Sequence, residues 1–218
     1  MIVQIEWWGW YRRAFFDERS IAARDRLADA ARAGQWDVVV EIADRDRSVN
    51  TTRVGGNSGF APLHQAAWHG APVPVVERLL ELGAWRTLRT ADGETAAEIA
   101  AARGHDGLAE RLAPALRRTI DATALAQLEC QLHAVILGRV LDLCRECGFR
   151  PPPLSPLLEY PGATMWAAIP GMYGGFAIEL DPDADELSVS SWCRVAGGSG
   201  ERHQIRPDGF ELVEKGFV

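Results

Sequence analysis

Apolar residues are spaced in two ways along this chain, and the change falls near residue 150. Upstream they recur at intervals of three and four, the period of one helix face. Downstream they alternate, or run for strand lengths between turn signals. The upstream pattern also repeats: Leu27-x-x-Ala30-Ala31-x-x-Gly34 returns as Leu63-x-x-Ala66-Ala67-x-x-Gly70 and as Ala97-x-x-Ala100-Ala101-x-x-Gly104, with the glycines 36 and 34 residues apart. Small Ala pairs let neighbouring helices approach closely, and a Gly past a helix end can take the left-handed backbone that reverses the chain. Each copy is followed by a second apolar helical stretch, at residues 38–42, 75–82 and 108–112.

The middle copy runs Gly59-Phe-Ala-Pro-Leu-His-Gln-Ala-Ala-Trp-His-Gly70 and closes with Leu82-Gly83-Ala84. With Pro62 at the first helical position and Leu63-His64 after it, this stretch resembles an ankyrin repeat, a turn and two antiparallel helices of about 33 residues. The resemblance covers residues 24–113 and implies three repeats. Ala61 replaces the usual Thr, and the third copy carries Ala96 and Glu98 where Pro and His would stand. The expected fold class is α+β: a short ankyrin α-solenoid, a long helix, and a small antiparallel β-meander. The expected domains are an aromatic N-terminal cap (1–23), the repeats (24–113), a connecting helix (114–150) and an antiparallel β domain packed on that helix (151–218).

The resemblance also assigns residues. His64 and His105 occupy positions whose role in the family is architectural. Gln65, Trp68 and His69 fall at variable positions that face the concave groove in this family, and the same register places Asp29 and Arg32 in the first repeat and Ile99 and Arg103 in the third. Trp flanked by Arg32 and Arg103 is the composition of an interface hot spot. The loop from Val49 to Gly59 is longer than a standard inter-repeat turn and rich in Gly, Asn and Ser. Such fingers contribute to binding in ankyrin proteins, which adds Asn57 and Phe60 to the candidate partner-binding set. Two occupants suit the groove, a separate protein or this chain's own C-terminal part.

Six large aromatics (Trp7, Trp8, Trp10, Tyr11, Phe15, Phe16) crowd residues 7–16. A terminal repeat needs its apolar face covered, so these rings are expected to pack over repeat one or against the C-terminal domain. The competing reading is an exposed patch for a partner. Residues 121–147 read as one helix, with Asp121 as N-cap and Gly148 past its end. Its apolar stripe is Leu125, Leu128, Leu132, Ile136, Val140, Leu143 and Cys147; a second row, Cys130, Ala134, Leu137, Leu141 and Cys144, widens the arc. Cys130-x-x-His133 and Cys144-x-x-Cys147 suggest zinc. However, the fourteen positions from Cys130 to Cys144 span about 21 Å of helix, and ligands of one zinc lie about 2.0–2.3 Å from it. No metal is therefore expected. The Cys144/Cys147 pair sits at a helix end, where the dipole does not lower a thiol pKa.

Pro151-Pro-Pro-Leu-Ser-Pro156 reads as a stiff linker and domain boundary. Strands are expected at 164–169, 175–180, 186–195, 202–205 and 210–213, in a meander. Alternation puts Leu187, Val189, Ser191, Cys193 and Val195 on one face of their strand, and Ser188, Ser190, Trp192 and Arg194 on the other. Trp192, Arg194, Arg202 and His203 form a second candidate set, for an anionic or planar ligand. The alternative is a polar sheet face with a cation–π stack of Arg194 on Trp192 or Trp166. Residues 197–200 are expected to turn a hairpin.

Composition narrows the function classes. The chain has 218 residues, 47% of them hydrophobic and 24% charged, as in a soluble globular protein. A net charge of −7 argues against nucleic acid. No basic region precedes the first apolar run, no run reaches membrane-spanning length, and four cysteines suit free thiols, so the cytoplasm is the expected compartment. Lys215 is the only Lys, which with the abundant Ala reads as the coding bias of a GC-rich, bacterial genome. No nucleophile elbow, Gly-x-Gly-x-x-Gly fingerprint or His-Glu-x-x-His motif is present. No catalytic set and no cofactor is therefore named. The leading function is a non-catalytic protein-binding module, either an adaptor or an inhibitor of the immunity type. The alternative is a small-molecule-binding or enzymatic C-terminal β domain, with the repeats selecting the substrate.

Overall fold

Six α-helices follow one another in the first half of the chain: α1 (Glu18–Arg32), α2 (Trp36–Asp46), α3 (Pro62–His69), α4 (Val73–Glu81), α5 (Ala96–Ala102) and α6 (Asp106–Leu112). They belong to a computed structural model that describes residues 4–9, 11–194 and 198–216. The fold is mixed α+β, with eight α-helices and six strands among the described residues. Two compact units divide it. One comprises residues 12–115, and the other joins the residues up to Tyr11 to those from Leu116 onward.

In the helical unit α1 packs on α2, α3 on α4 and α5 on α6, while α1, α3 and α5 form a row. The row is held by the repeated small residues. Ala30 and Ala31, Ala66 and Ala67, and Ala96 and Ala100 are buried in one core with Leu27, Leu63 and Ile99. The second helices bury Val39 and Ile42, Val76 and Leu79, and Leu108 and Leu112 in the same core.

The three first helices end in the same turn. Gly34, Gly70 and Gly104 have φ of 70°, 61° and 78°, the left-handed region that a Cβ disfavours. After each glycine the next N–H returns to the carbonyl five residues back: Gln35 to Ala30, Ala71 to Ala66 and His105 to Ala100, each at 2.9 Å. This Schellman geometry satisfies carbonyls that the helix end leaves open. The second helices reverse in the same way at Gly83 (φ 88°) and at Arg47 (φ 49°), where a non-glycine residue carries the left-handed backbone.

The starts of α3 and α5 follow one rule with different chemistry. In α5, Thr95 and Glu98 form a reciprocal capping box: the Glu98 carboxylate accepts the Thr95 N–H at 2.6 Å, and Thr95 Oγ1 accepts the Glu98 N–H at 3.3 Å. The Thr95 N–H, together with the Thr95 hydroxyl that donates to the same carboxylate at 2.8 Å, holds the Glu98 carboxyl below its ordinary pKa. In α3, His64 Nδ1 accepts the Ala61 N–H at 3.1 Å, but Ala61 has no hydroxyl to return the bond.

Neighbouring pairs are also tied laterally. Asn50 donates to the Gly83 carbonyl at 2.8 Å and accepts from the Trp85 N–H at 2.9 Å. Arg78 reaches Asp44 at 3.1 Å and Arg111 reaches Glu77 at 2.7 Å. These ion pairs are exposed and contribute little. The long loop before α3 is anchored as well, through Asn50, a Thr51 hydroxyl bond to the Ser48 carbonyl and an Ala91 N–H bond to the Ser58 carbonyl.

The second unit is a six-stranded sheet with α7 (Ala122–Cys147) and α8 (Ser155–Glu159). Its strands are β1 (Gln4–Trp7), β2 (Thr164–Ile169), β3 (Gly174–Leu180), β4 (Leu187–Cys193), β5 (Ser199–Arg206) and β6 (Gly209–Gly216), in spatial order β1 to β6. Strands β2 to β6 form the expected antiparallel meander, but β1 adds a parallel edge pair, with Ile5 opposite Met165 and Trp7 opposite Ala167. The helical unit is therefore a chain insertion between the first strand of this sheet and the rest of it.

Several sequence expectations change here. The aromatic segment does not behave as one cap, because the unit boundary falls between Tyr11 and Arg12. Trp7 is buried and donates to the Arg150 carbonyl at 2.7 Å, and Tyr11 stacks on Phe149 at 5.7 Å. Phe16 lies on the other side of the boundary, under the Arg24 guanidinium. Trp10, Val195 and Gly197, which entered the sequence reading, lie outside the described residues.

Asp121 and Gly148 cap α7 as expected, but Val140 (φ −142°, ψ 37°) breaks its helical path. Leu128, Leu132, Ile136 and Cys147 are buried, whereas Cys130, Ala134 and Leu141 of the second row are exposed. The helix thus buries a narrower face than the pattern implied. The Pro151–Pro156 stretch is no boundary between compact units, since His133 bonds the Pro152 carbonyl at 3.0 Å and Glu129 accepts the Leu154 N–H at 2.7 Å.

The repeated turn makes a direct prediction. A Cβ at Gly70 would add left-handed strain and lie 2.6 Å from the His105 ring. Gly70→Ala should lower unfolding free energy by about 2–3 kcal/mol. Gly107→Ala, inside α6 with nothing within 4 Å, should raise it by about 0.5–1 kcal/mol. Urea denaturation of the full chain, monitored by helical circular dichroism, checks both signs.

Candidate functional site

The ends of α1 and α3 and the loop before α3 enclose an open cleft of about 590 Å³. Six of the nine expected partner-binding residues line it: Arg32, Asn57, Phe60, Gln65, Trp68 and His69. Trp68 is its apolar centre and remains 42% exposed. Phe60 meets it edge-on at 6.1 Å, and the Arg103 guanidinium lies 4.2 Å from its ring centroid, a cation–π geometry. His69 hydrogen-bonds the Arg32 carbonyl through Nε2 at 3.0 Å and meets Trp36 edge-on at 5.9 Å. Donation to a carbonyl requires the proton to be on Nε2.

Asp29, Ile99 and Arg103 are not among the cleft-lining residues, although Arg103 lies over Trp68. Asp29 is drawn into an ion-pair cluster with Arg53, which also reaches Asp25 at 3.2 Å; Arg13 closes the cluster on Asp25 at 2.9 Å. Ile99 contradicts its assignment: it is only 2% exposed and sits in the core beside Leu63 and Ala96. An aliphatic side chain at that register gains more from burial than a groove position offers. The sequence reading missed Arg53 and Ala28, which line the cleft. Asp25 and Asp29, one helical turn apart, were the available signal for Arg53, but only folding brings the loop to them.

His64 fixes the floor under Phe60, with ring centroids 5.7 Å apart. Its Nδ1 accepts the Ala61 N–H, so Nε2 carries the proton and donates to the Leu88 carbonyl at 3.0 Å. Burial pushes its pKa down to about 4. The buried imidazole is thus neutral at pH 7 and structural.

The sheet candidates do not all share a face: Trp192 and Arg202 do, and His203 does not. Across β4, Arg202 is opposite Ser190 and His203 is opposite the buried Val189, so the two point to opposite faces. Arg202 pairs with Glu214 at 2.8 Å on the surface. Trp192 stacks on Trp166 at 4.6 Å, over Gly175, where a Cβ would press on the Trp166 ring at 2.9 Å. Arg194 is exposed. His203 turns its ring edge toward Phe210 at 6.1 Å, and burial lowers its pKa.

All four cysteines are free thiols, Cys130 exposed and Cys144 and Cys147 buried. Burial, with Cys147 beside it, pushes the Cys144 thiol up to about 11, the opposite of an activated nucleophile. Among the described residues no group of three or more His, Cys, Asp or Glu is placed to hold a metal, and no helix is long and apolar enough to cross a membrane.

Two measurements follow. The folded pKa of His64 lies below its unfolded value, so the unfolded chain binds the extra proton between pH 6.5 and 4. Stability should therefore fall with pH across that window, by about 3 kcal/mol from this group, and His64→Gln should flatten that part of the urea-midpoint profile. In native protein, iodoacetamide should alkylate Cys130 well before Cys144; peptide mass mapping reads the order.

No protein-family model matches this sequence, and no curated protein matches it.

Proposed function

We propose that residues 24–113 are a short ankyrin-type repeat module and that its cleft binds a protein partner without catalysing a reaction. One observation carries the reading: positions that the resemblance leaves variable, Gln65, Trp68 and His69, line one cleft around an exposed tryptophan, while Leu63, His64, Ala66 and Ala67 of the motif are buried. Support for the repeat comes from the recurring left-handed turn, from the pairwise packing of the six helices, and from the buried His64 spanning from Ala61 to Leu88. Support for binding comes from the composition of the cleft, since Trp and Arg dominate interface energetics. Free thiols fit a reducing compartment, taken here as the cytoplasm. An adaptor and an inhibitor of the immunity type are the two forms this function could take. The alternative of a ligand site on the sheet is less well supported, because His203 points away from the face that carries Trp192 and Arg202, and Arg202 is paired with Glu214.

The test is affinity capture from a lysate of the source cells. Trp68→Ala combined with Arg103→Ala should abolish capture of the partner and leave the melting temperature nearly unchanged, because both side chains are exposed. Capture that survives both substitutions would remove the cleft from the binding surface.

A further inference from the structure

Electrostatics of the cleft specify its partner more closely than the charge of the whole chain does. The lining contains two Arg and no Asp or Glu. Arg53 is neutralised by Asp25 and Asp29. Arg32 forms no ion pair among the described residues and is exposed; Arg103, exposed over Trp68, likewise forms none. By contrast Arg78 and Arg111, on the second helices of the same unit, each meet a carboxylate. One uncompensated guanidinium, that of Arg32, therefore lines the cleft beside Phe60 and Trp68, and a second, that of Arg103, lies over the Trp68 ring at its edge.

We propose that the cleft accepts an acidic peptide segment of a protein partner, one that sets an Asp or Glu carboxylate next to a large apolar side chain. The inference rests on the protein-binding reading above and sharpens it. Carboxylate is the group that a guanidinium recognises with paired, charge-assisted hydrogen bonds, and the adjoining apolar side chain takes the Phe60–Trp68 surface. The net charge of −7 points the other way, toward a basic partner. At physiological salt, charges beyond about 8 Å are largely screened, so the local pair governs contact and the distant carboxylates do not. A nucleic-acid strand suits the site less well, because two free cations neutralise few phosphates.

The probe is a phage-displayed dodecapeptide library panned on the full chain, with a Trp68→Ala variant as counter-selection. Trp68-dependent peptides should carry Asp or Glu beside an aromatic or aliphatic residue. Changing that acid to its amide should weaken binding about tenfold on the native chain and leave it unchanged on the Arg32→Gln/Arg103→Gln variant. Raising NaCl from low to high concentration should reproduce the loss. Trp68-dependent peptides that lack acids, or whose amide forms bind equally well, would overturn the proposal and leave the protein-binding reading intact. Tight, Trp68-dependent binding of single-stranded oligothymidylate in place of peptides would reassign the guanidiniums to phosphate. Failure to recover any Trp68-dependent peptide would remove both readings together.

Discussion

The reversal of the chain at Gly34, Gly70 and Gly104 is the constraint on which the helical unit depends. Each glycine adopts a backbone that a side chain disfavours, and each returns the following N–H to an alanine carbonyl. That bond closes the helix end without a polar side chain. The residues next to the turn can then be small and apolar, so Ala30 and Ala31, Ala66 and Ala67, and Ala100 sit in the core. A larger side chain at Gly70 would meet the turn and the His105 ring together.

The same constraint accounts for the surface. Once main-chain bonds satisfy the helix end, the side chains of the last turn are released from capping. Arg32, Trp68, His69 and Arg103 all lie at those ends, where a cation is also favoured by the helix dipole. A rigid frame whose rim side chains are already held, His69 on the Arg32 carbonyl and Arg103 over Trp68, suits recognition, because little order has to be imposed on binding. The frame tolerates chemical variation underneath. His64 and Glu98 hold equivalent places and both accept an N–H from the residue before their helix, one as a buried neutral imidazole and the other as an exposed carboxylate.

The sheet unit is organised by a different constraint, the need to bury one face of a mostly antiparallel sheet. Leu187, Val189 and Ile205 are buried, and α7 contacts β5 and β6. At the other edge, β1 arrives from the far end of the sequence and buries Ile5 and Trp7. Near the break in α7, Arg139 pairs with Glu201 at 2.7 Å with both side chains largely buried, and bonds Ser199. The polar chemistry of this unit is thus spent on holding its own layers.

Much of the helical unit was legible in the sequence. The spacing of Gly34, Gly70 and Gly104 marks three equivalent turns, and Arg32, Trp68 and His69 just before two of them mark the cleft, because local backbone geometry depends on residues close in sequence. The strands β2 to β6 were legible for the same reason: each neighbours the next, and turn residues separate them. Long-range pairing was not. A four-residue strand at Gln4–Trp7 carries too little pattern to name a partner at Thr164–Ala167, and Arg53 gives no local sign that it will meet Asp25 and Asp29. Ile99 was misplaced because register specifies a direction on a helix, whereas burial depends on what the neighbouring helices leave open. Sequence determined the local turns and their chemistry, while tertiary structure decided which charges remained uncompensated, since that depends on distances between segments far apart in the chain.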